Sequence, residues 1–416
     1  MDNITHALAG ALLAEAACQH VARATRASST NDAEPVATST PPPSFRRTAY
    51  LLAVVLAELP DADLAYSGSR SGMGNLGYLL HHRGHTHTVL FTVIAALVAW
   101  GLALAARREL RDSVKARTLL ALSLVASLSH IALDYTNSYG VHPWWPFDAR
   151  WIYGDAVFIV EPWLWIVALA PLAFIARGMA GRLLSVALLL TILVAAWRVG
   201  EVGRTVALVL TVGALVWTLV SWRVPRPRLA TVAIAGWMAL EVTFFSTSAL
   251  GRRAMTREVG VTLKDVVLSP APGNPLCLSA IVVTSDSVSY TASLATVAPL
   301  PSLRSAAQCG NGGRGDPDGS HAAARRDTPA IRWGRTWSAP AAELRTLARE
   351  RCELAAALEF MRVPVWERTA DGVVTMYDLR FGGGPGSFTT VVSRPGEGCP
   401  RMDPGWRWPR SDVLGG

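Results

Sequence analysis

Lysine is almost missing from this 416-residue chain: of its 39 basic residues only Lys115 and Lys264 are lysines. The arginines that carry the net charge of +8 cluster in short connections between apolar runs. No basic stripe with interleaved aromatics occurs, which excludes a nucleic-acid-binding surface. A basic leader region is missing too: "MDNITHALAG" is acidic and polar, so no cleavable signal peptide is expected. No two of the five cysteines have CxxC spacing, which excludes that metal or redox motif. Cys18 lies in an apolar segment, whereas Cys277, Cys309, Cys352 and Cys399 all lie in the C-terminal part. Four cysteines in one soluble region are compatible with two disulfides in an oxidising compartment, with the pairing left open.

What the chain has in abundance is apolar sequence. Hydrophobic residues make up 51% and mean hydropathy is +0.29, values of a membrane protein. Apolar segments cover roughly 4–22, 48–66, 88–106, 118–136, 158–176, 183–197, 205–222 and 229–249, most near the length that crosses a bilayer. The first two also carry Glu15, Glu58, Asp61 and Asp63 and suit bundle-lining or interfacial helices. Connections 23–47, 107–117, 177–182 and 223–228 hold 14 basic residues, against 5 in the alternate connections. The positive-inside rule makes the first set cytoplasmic and sends both termini outward, with the four C-terminal cysteines.

Past residue 250 the composition turns ordinary. "AIVVTSDSVSYTASLATV" alternates as strands do, and "AAELRTLARERCELAAALEFMR" reads as a helix. The expected fold class is therefore mainly α: a polytopic transmembrane helical bundle over 1–250, then a smaller α+β soluble domain over 251–416. Segment 27–44, rich in Ser, Thr and Pro, is expected to be a linker, and the Gly-rich stretch at about 306–328 a flexible loop.

Set on this topology, the polar residues of the apolar half gather at one membrane face. His6 is at the outer end of the first segment, and "ELPDAD" closes the second with Glu58, Asp61 and Asp63. "HHRGHTHT" opens the third, "SHIALDYTN" closes the fourth with His130 and Asp134, and Asp155 and Glu161 begin the fifth. His130 and Asp134 are spaced i, i+4 and share a helix face, so one ion can bind both. Imidazole and carboxylate are ligands that zinc and similar divalent ions accept. Acids this close repel one another unless a cation lies between them, and ionisable residues at membrane depth are candidate functional groups. The candidate metal ligands are His6, Asp61, Asp63, His82, His87, His130 and Asp134, enough for one or two ions. Arg83 could hold a phosphate or carboxylate, or pair with Asp61 or Asp63. Glu58 could take a proton. Thr5 and Thr86 are expected to orient neighbouring ligands. His20, His142 and His321 fall outside the constellation, Trp144, Trp145, Trp163 and Trp165 read as interfacial anchors, and Glu241 has no evident partner.

"MDNITHALAG", "PDAD", "HHRGHTHT" and "HIALDYTNSYGVHPWWPF" resemble the YdjM-like family of membrane-bound, metal-dependent hydrolases. The likeness falls on His6, Asp61, Asp63, His82, Arg83, Thr86, His87, His130 and Asp134, and covers roughly residues 1–165. Glu161-Pro162 stands where Asp-Pro would be the commoner form, and His81 and His85 exceed the motif. The resemblance implies a hydrolase, with a more distant likeness to zinc-dependent phospholipase C. It adds up to an enzyme of the bacterial inner membrane, its metal centre and C-terminal domain extracytoplasmic. A divalent metal is expected, zinc first and manganese second, with a lipid ester or phosphodiester as substrate. The competing readings are a metal transporter or sensor and a purely structural membrane protein. A transporter would need ionisable residues through the midplane, where only Glu15 and Glu241 lie deep.

Overall fold

A computed structural model describes residues 1–29, 41–68, 74–200, 202–286, 288–310, 325–382, 386–396 and 405–415. Each of the eight apolar segments coincides with helix: α1 (Asn3–Ser29), α2 (Pro43–Glu58) with its short continuation α3 (Leu64–Ser67), then, after α4 (Gly74–His81), α5 (Val89–Ala106), α6 (Ser113–Tyr135), α7 (Pro162–Ile175), α8 (Met179–Arg198), α9 (Arg204–Arg223) and α10 (Arg226–Val259). Their starts follow local chemistry. Asp2 Oδ1 accepts the Thr5 amide at 3.0 Å, Thr88 Oγ1 the Phe91 amide at 3.1 Å, and Glu161 the Trp163 amide at 3.1 Å ahead of Pro162. Among the described residues five helices, α5, α6, α8, α9 and α10, are long and apolar enough to cross a membrane, and α7 is a shorter apolar helix. Of the expected 27–44 linker, residues 30–40 lie outside the described residues.

The chain divides into two compact units that alternate along the sequence. The first comprises Met1–Ala62, Thr86–Asp134 and Ile159–Val242. In it α1 and α2 come close enough that a Cβ on Gly10 would sit 2.8 Å from the Ala53 carbonyl oxygen. Small side chains allow this approach, as is common between helices in lipid. Ala14, Cys18, Phe45, Leu52, Leu119 and Leu122 fill the core there. Glu15, deep in α1, is neutralised by Arg46 at 2.6 Å and hydrogen-bonded by the Tyr50 hydroxyl at 2.9 Å. In α10, Glu241 accepts from the Trp237 indole at 3.3 Å.

The second unit comprises Asp63–His85, Tyr135–Phe158 and Thr243–Gly416. Four antiparallel strands, β1 (Leu263–Ala271), β2 (Asn274–Ser285), β3 (Ser289–Val297) and β4 (Ile331–Pro340), lie in sequence order. Helices α11 (Ala341–Glu350) and α12 (Cys352–Leu358) follow. A second antiparallel sheet, β5 (Pro364–Arg368), β6 (Val374–Asp378) and β7 (Val391–Ser393), precedes the short α13 (Ser411–Leu414). The core joins Leu79 and Leu80 of α4 and Tyr139 and Trp151 of the 135–158 loop to Tyr290 and Phe360, so both inserted segments pack as parts of this α+β unit.

Charge reinforces that packing. Arg362 is buried and gives Asp155 two bonds, at 2.8 and 2.9 Å, and Asp265 two more, at 2.7 and 2.9 Å. Arg252 reaches Asp155 at 2.6 Å and Arg410 reaches Asp265 at 3.1 Å. Burial acts against the Asp265 charge, but Arg362 and Arg410 outweigh it and hold the carboxyl below the usual carboxylate range. Arg380 ties the same loop to the sheet, donating to the Ser138 and Tyr139 carbonyls at 2.8 and 3.1 Å and pairing with Asp378 at 2.8 Å. Cys277 and Cys309 form a disulfide, Cys352 is disulfide-bonded, Cys18 is free and buried, and Cys399 lies outside the described residues. Most of the expected 306–328 loop, residues 311–324, is also outside them, with His321; Ala306–Cys309 forms a 3-10 turn.

Candidate metal centre

Three local structures of the first unit supply the donors. Asp61 sits in the 3-10 turn Leu59–Asp63, where Pro60 follows the last turns of α2. His87 lies in the 3-10 turn His85–His87, which Thr88 closes by capping α5. His130 and Asp134 are one turn apart on α6, as their spacing requires. His87, His130 and Asp134 are fully buried and Asp61 nearly so.

Donor atoms of these four residues all lie within 4.8 Å of one another. His87 Nε2 is 3.1 Å from His130 Nε2, 3.3 Å from Asp61 Oδ1 and 3.2 Å from Asp134 Oδ2. His130 Nε2 is 3.6 Å from Asp61 Oδ1 and 3.2 Å from Asp134 Oδ2. Ligands at zinc distances of about 2.0–2.1 Å in tetrahedral array stand about 3.3 Å apart, so these separations fit one ion. Outer partners set the rings. The Ala57 carbonyl, 2.6 Å from His130 Nδ1, can only accept, so Nδ1 carries the hydrogen and Nε2 of the neutral ring presents its lone pair to the centre. Thr86 Oγ1 lies 3.1 Å from His87 Nδ1 and does the same when Nδ1–H donates to it. With both rings neutral, the four donors are acceptors only, an arrangement that a divalent cation relieves.

Around the quartet, His6 stacks on His130 with ring centroids 3.8 Å apart, and its Nε2 lies 3.3 Å from Asp134 Oδ1. The Met1 amine also contacts Asp134 Oδ1. The Asn3 amide bridges Glu58 Oε2 at 3.1 Å and Asp61 Oδ2 at 3.2 Å, placing Glu58 one side chain away from a candidate ligand. Thr5 does not touch a candidate ligand among its described hydrogen bonds: its hydroxyl donates to Asp2 at 2.5 Å and accepts from the Trp165 indole at 3.1 Å. Trp165 is thereby buried inside the bundle and does not anchor at an interface.

Asp63, His82 and Arg83 belong to the second unit, where they form their own group. His82 Nδ1 is 2.9 Å from Asp63 Oδ1, and the Arg83 amide donates to Asp63 Oδ2 at 2.9 Å. Arg83 is buried with φ of 58°, a left-handed conformation costly for a residue with a side chain. Its guanidinium donates to Asn137 Oδ1 at 3.2 Å and lies 4.6 Å over the Tyr139 ring, and His142 Nδ1 donates to its carbonyl at 3.2 Å. Gly84 has no room for a side chain: a Cβ would stand 2.9 Å from the His81 carbonyl and 3.2 Å from Trp406. His85 packs against Trp145 and Trp406. Asp155 is taken up by the arginine network and Glu161 by its cap, so neither joins the quartet.

Sequence reasoning passed over Asn3, Asn137 and Tyr139. All three stand inside the quoted motifs, and for the two amides the available signal was a carboxylate close by in sequence, Asp2 next to Asn3 and Asp134 three residues before Asn137.

Helices long and apolar enough to span a bilayer, with buried imidazoles and carboxylates at coordinating separations, define an integral membrane protein with a candidate divalent-metal centre. Residues 1–202, just under half of the chain, match the model of the YdjM inner membrane protein family, and over these residues the chain is similar to that family. No curated protein and no solved structure matches the chain.

Proposed function

We propose that this protein is a membrane-bound, metal-dependent hydrolase acting on a lipid ester or phosphodiester at the outer face of the membrane. The observation that carries the reading is the convergence of two imidazole nitrogens and two carboxylate oxygens on one buried point. Asp61, His87, His130 and Asp134 would hold the ion, zinc by donor chemistry with manganese as the alternative. His6, stacked on His130, stays in the proposed ligand pool beside them, and Asp63 and His82 form a separate candidate pair within the second unit. A bound divalent ion supplies Lewis acidity at the reacting ester or phosphoryl group. Ala57 and Thr86 hold the imidazoles in their ligating orientation. Glu58, fixed by Asn3, accepts the proton released when water attacks. The Cys277–Cys309 disulfide supports an oxidising, extracytoplasmic location for the C-terminal region. Transport is less well supported, because the two deep acids, Glu15 and Glu241, are engaged by Arg46 and Trp237.

Metal analysis of detergent-purified protein tests the reading. About one or two equivalents of zinc or manganese are expected, falling sharply in His87→Ala combined with His130→Ala. A screen of lipid esters and phosphodiesters with and without chelator then names the bond. Metal-free protein with an undisturbed fold would remove the enzyme.

A further inference from the structure

At the arginine-rich helix ends of the first unit, which the positive-inside rule assigns to the cytoplasm, lies a second polar feature. A cavity of about 420 Å³ is lined by Arg23 and Arg26 of α1, Arg177 after α7, Arg182 of α8 and Arg226 of α10. His6 and Arg23 are 17 positions apart on α1, so the cavity is about 26 Å along the helix from the metal quartet. Its one acid, Glu15, is already neutralised by Arg46. Arg23, Arg177, Arg182 and Arg226 make no ion pair with a carboxylate among the described residues. Two guanidiniums are instead braced by backbone: Arg23 Nε donates to the Gln19 carbonyl at 3.2 Å and Arg182 Nε to the Ala176 carbonyl at 3.0 Å. The first turns of two long helices, α8 and α10, contribute Arg182 and Arg226, so helix dipoles add to the positive field.

Gln19 points to the ligand independently. It is more than nine-tenths buried, its Nε2 donates to the Arg226 carbonyl at 3.3 Å, and its Oε1 has no hydrogen-bond partner. A buried amide oxygen calls for a donor, which the ionised phosphate of a monoester dianion or a diester does not carry and a hydroxyl does. Ala22, Ile175 and Pro41 give the cavity an apolar wall.

We propose that this cavity binds a phosphodiester or phosphomonoester anion bearing a hydroxyl, with the four arginines on the phosphate and Gln19 Oε1 on the hydroxyl. A glycerol-headed anionic phospholipid at the membrane boundary and a soluble glycerol phosphate share that chemistry. Basic pockets between membrane helices on the cytoplasmic side are suited to such headgroups.

The test titrates the purified full-length chain in neutral detergent with dioctanoyl phosphatidylglycerol, dioctanoyl phosphatidylcholine or glycerol 3-phosphate, read by native mass spectrometry. Phosphatidylglycerol adducts are expected, and R177Q/R182Q/R226Q should weaken them about 100-fold. Single R226Q, a milder change, should weaken them several-fold with unaltered elution and metal content. Arginine-dependent binding of glycerol 3-phosphate alone would assign the site to the soluble ligand. Equal binding of phosphatidylcholine, or affinity for both anions unmoved in R226Q and in the triple variant, overturns the proposal.

Discussion

Of the two imidazoles in the quartet, His87 has its Nδ1 held by a side-chain hydroxyl. His130 Nδ1 is held by the main-chain carbonyl of Ala57, which no substitution removes. His87 Nδ1 is held by the Thr86 hydroxyl at 3.1 Å, which Thr86→Val replaces by a methyl group of nearly the same size. The ring keeps its packing and loses one hydrogen bond, and with it the preference for the tautomer that turns the Nε2 lone pair inward. Outer-shell partners of this kind contribute about 10–100-fold in metal affinity, or about 1.4–2.7 kcal/mol. The expected result is a zinc dissociation constant raised by that factor in chelator competition, with a far smaller change in Thr86→Ser, which keeps the hydroxyl. Both variants should elute and melt like the parent when saturated with zinc. An affinity in Thr86→Val equal to that of the parent would show that His87 is not held for coordination, and the quartet would lose a ligand.

The rest of the structure is equally open to test. Asp155→Ala removes one of the two carboxylates that hold buried Arg362, and the partner of the partly exposed Arg252, and should destabilise the second unit by about 3 kcal/mol, read as a lower thermal midpoint in tryptophan emission. Asp265 has a folded pKa below its unfolded value of about 3.9, so its contribution is complete above that pH and fades as pH falls toward the folded value. Acid titration of Asp265→Asn should therefore show a flatter loss of stability below about pH 5 than the parent, and an identical slope would rule out the pairing. Gly10→Ala should cost about 1–3 kcal/mol or lower folded yield, because its Cβ meets the Ala53 carbonyl at 2.8 Å. Gly101→Ala, where nothing lies within 4 Å, is the matched control.

Much of this protein is local and therefore legible in one dimension. Helices α5 to α10 follow from apolar runs that must satisfy their own backbone, and their boundaries from Thr88, Glu161 and Pro162, which act within a turn of themselves. The neighbourhood of His130 and Asp134 is likewise a property of helix pitch. The rest depended on long-range packing. Asp61 and Asp63 are two residues apart, and His82 and His87 five, yet each pair is divided between the two compact units. Nothing in the periodicity of the loops records that Leu80 and Trp151 share a core with Phe360, or that Asp155 pairs with Arg362, 207 positions away. Spacing along a helix is set by each residue's own backbone, whereas the partner of a buried carboxylate is whichever cation the whole fold brings within reach, and only the tertiary structure decides that.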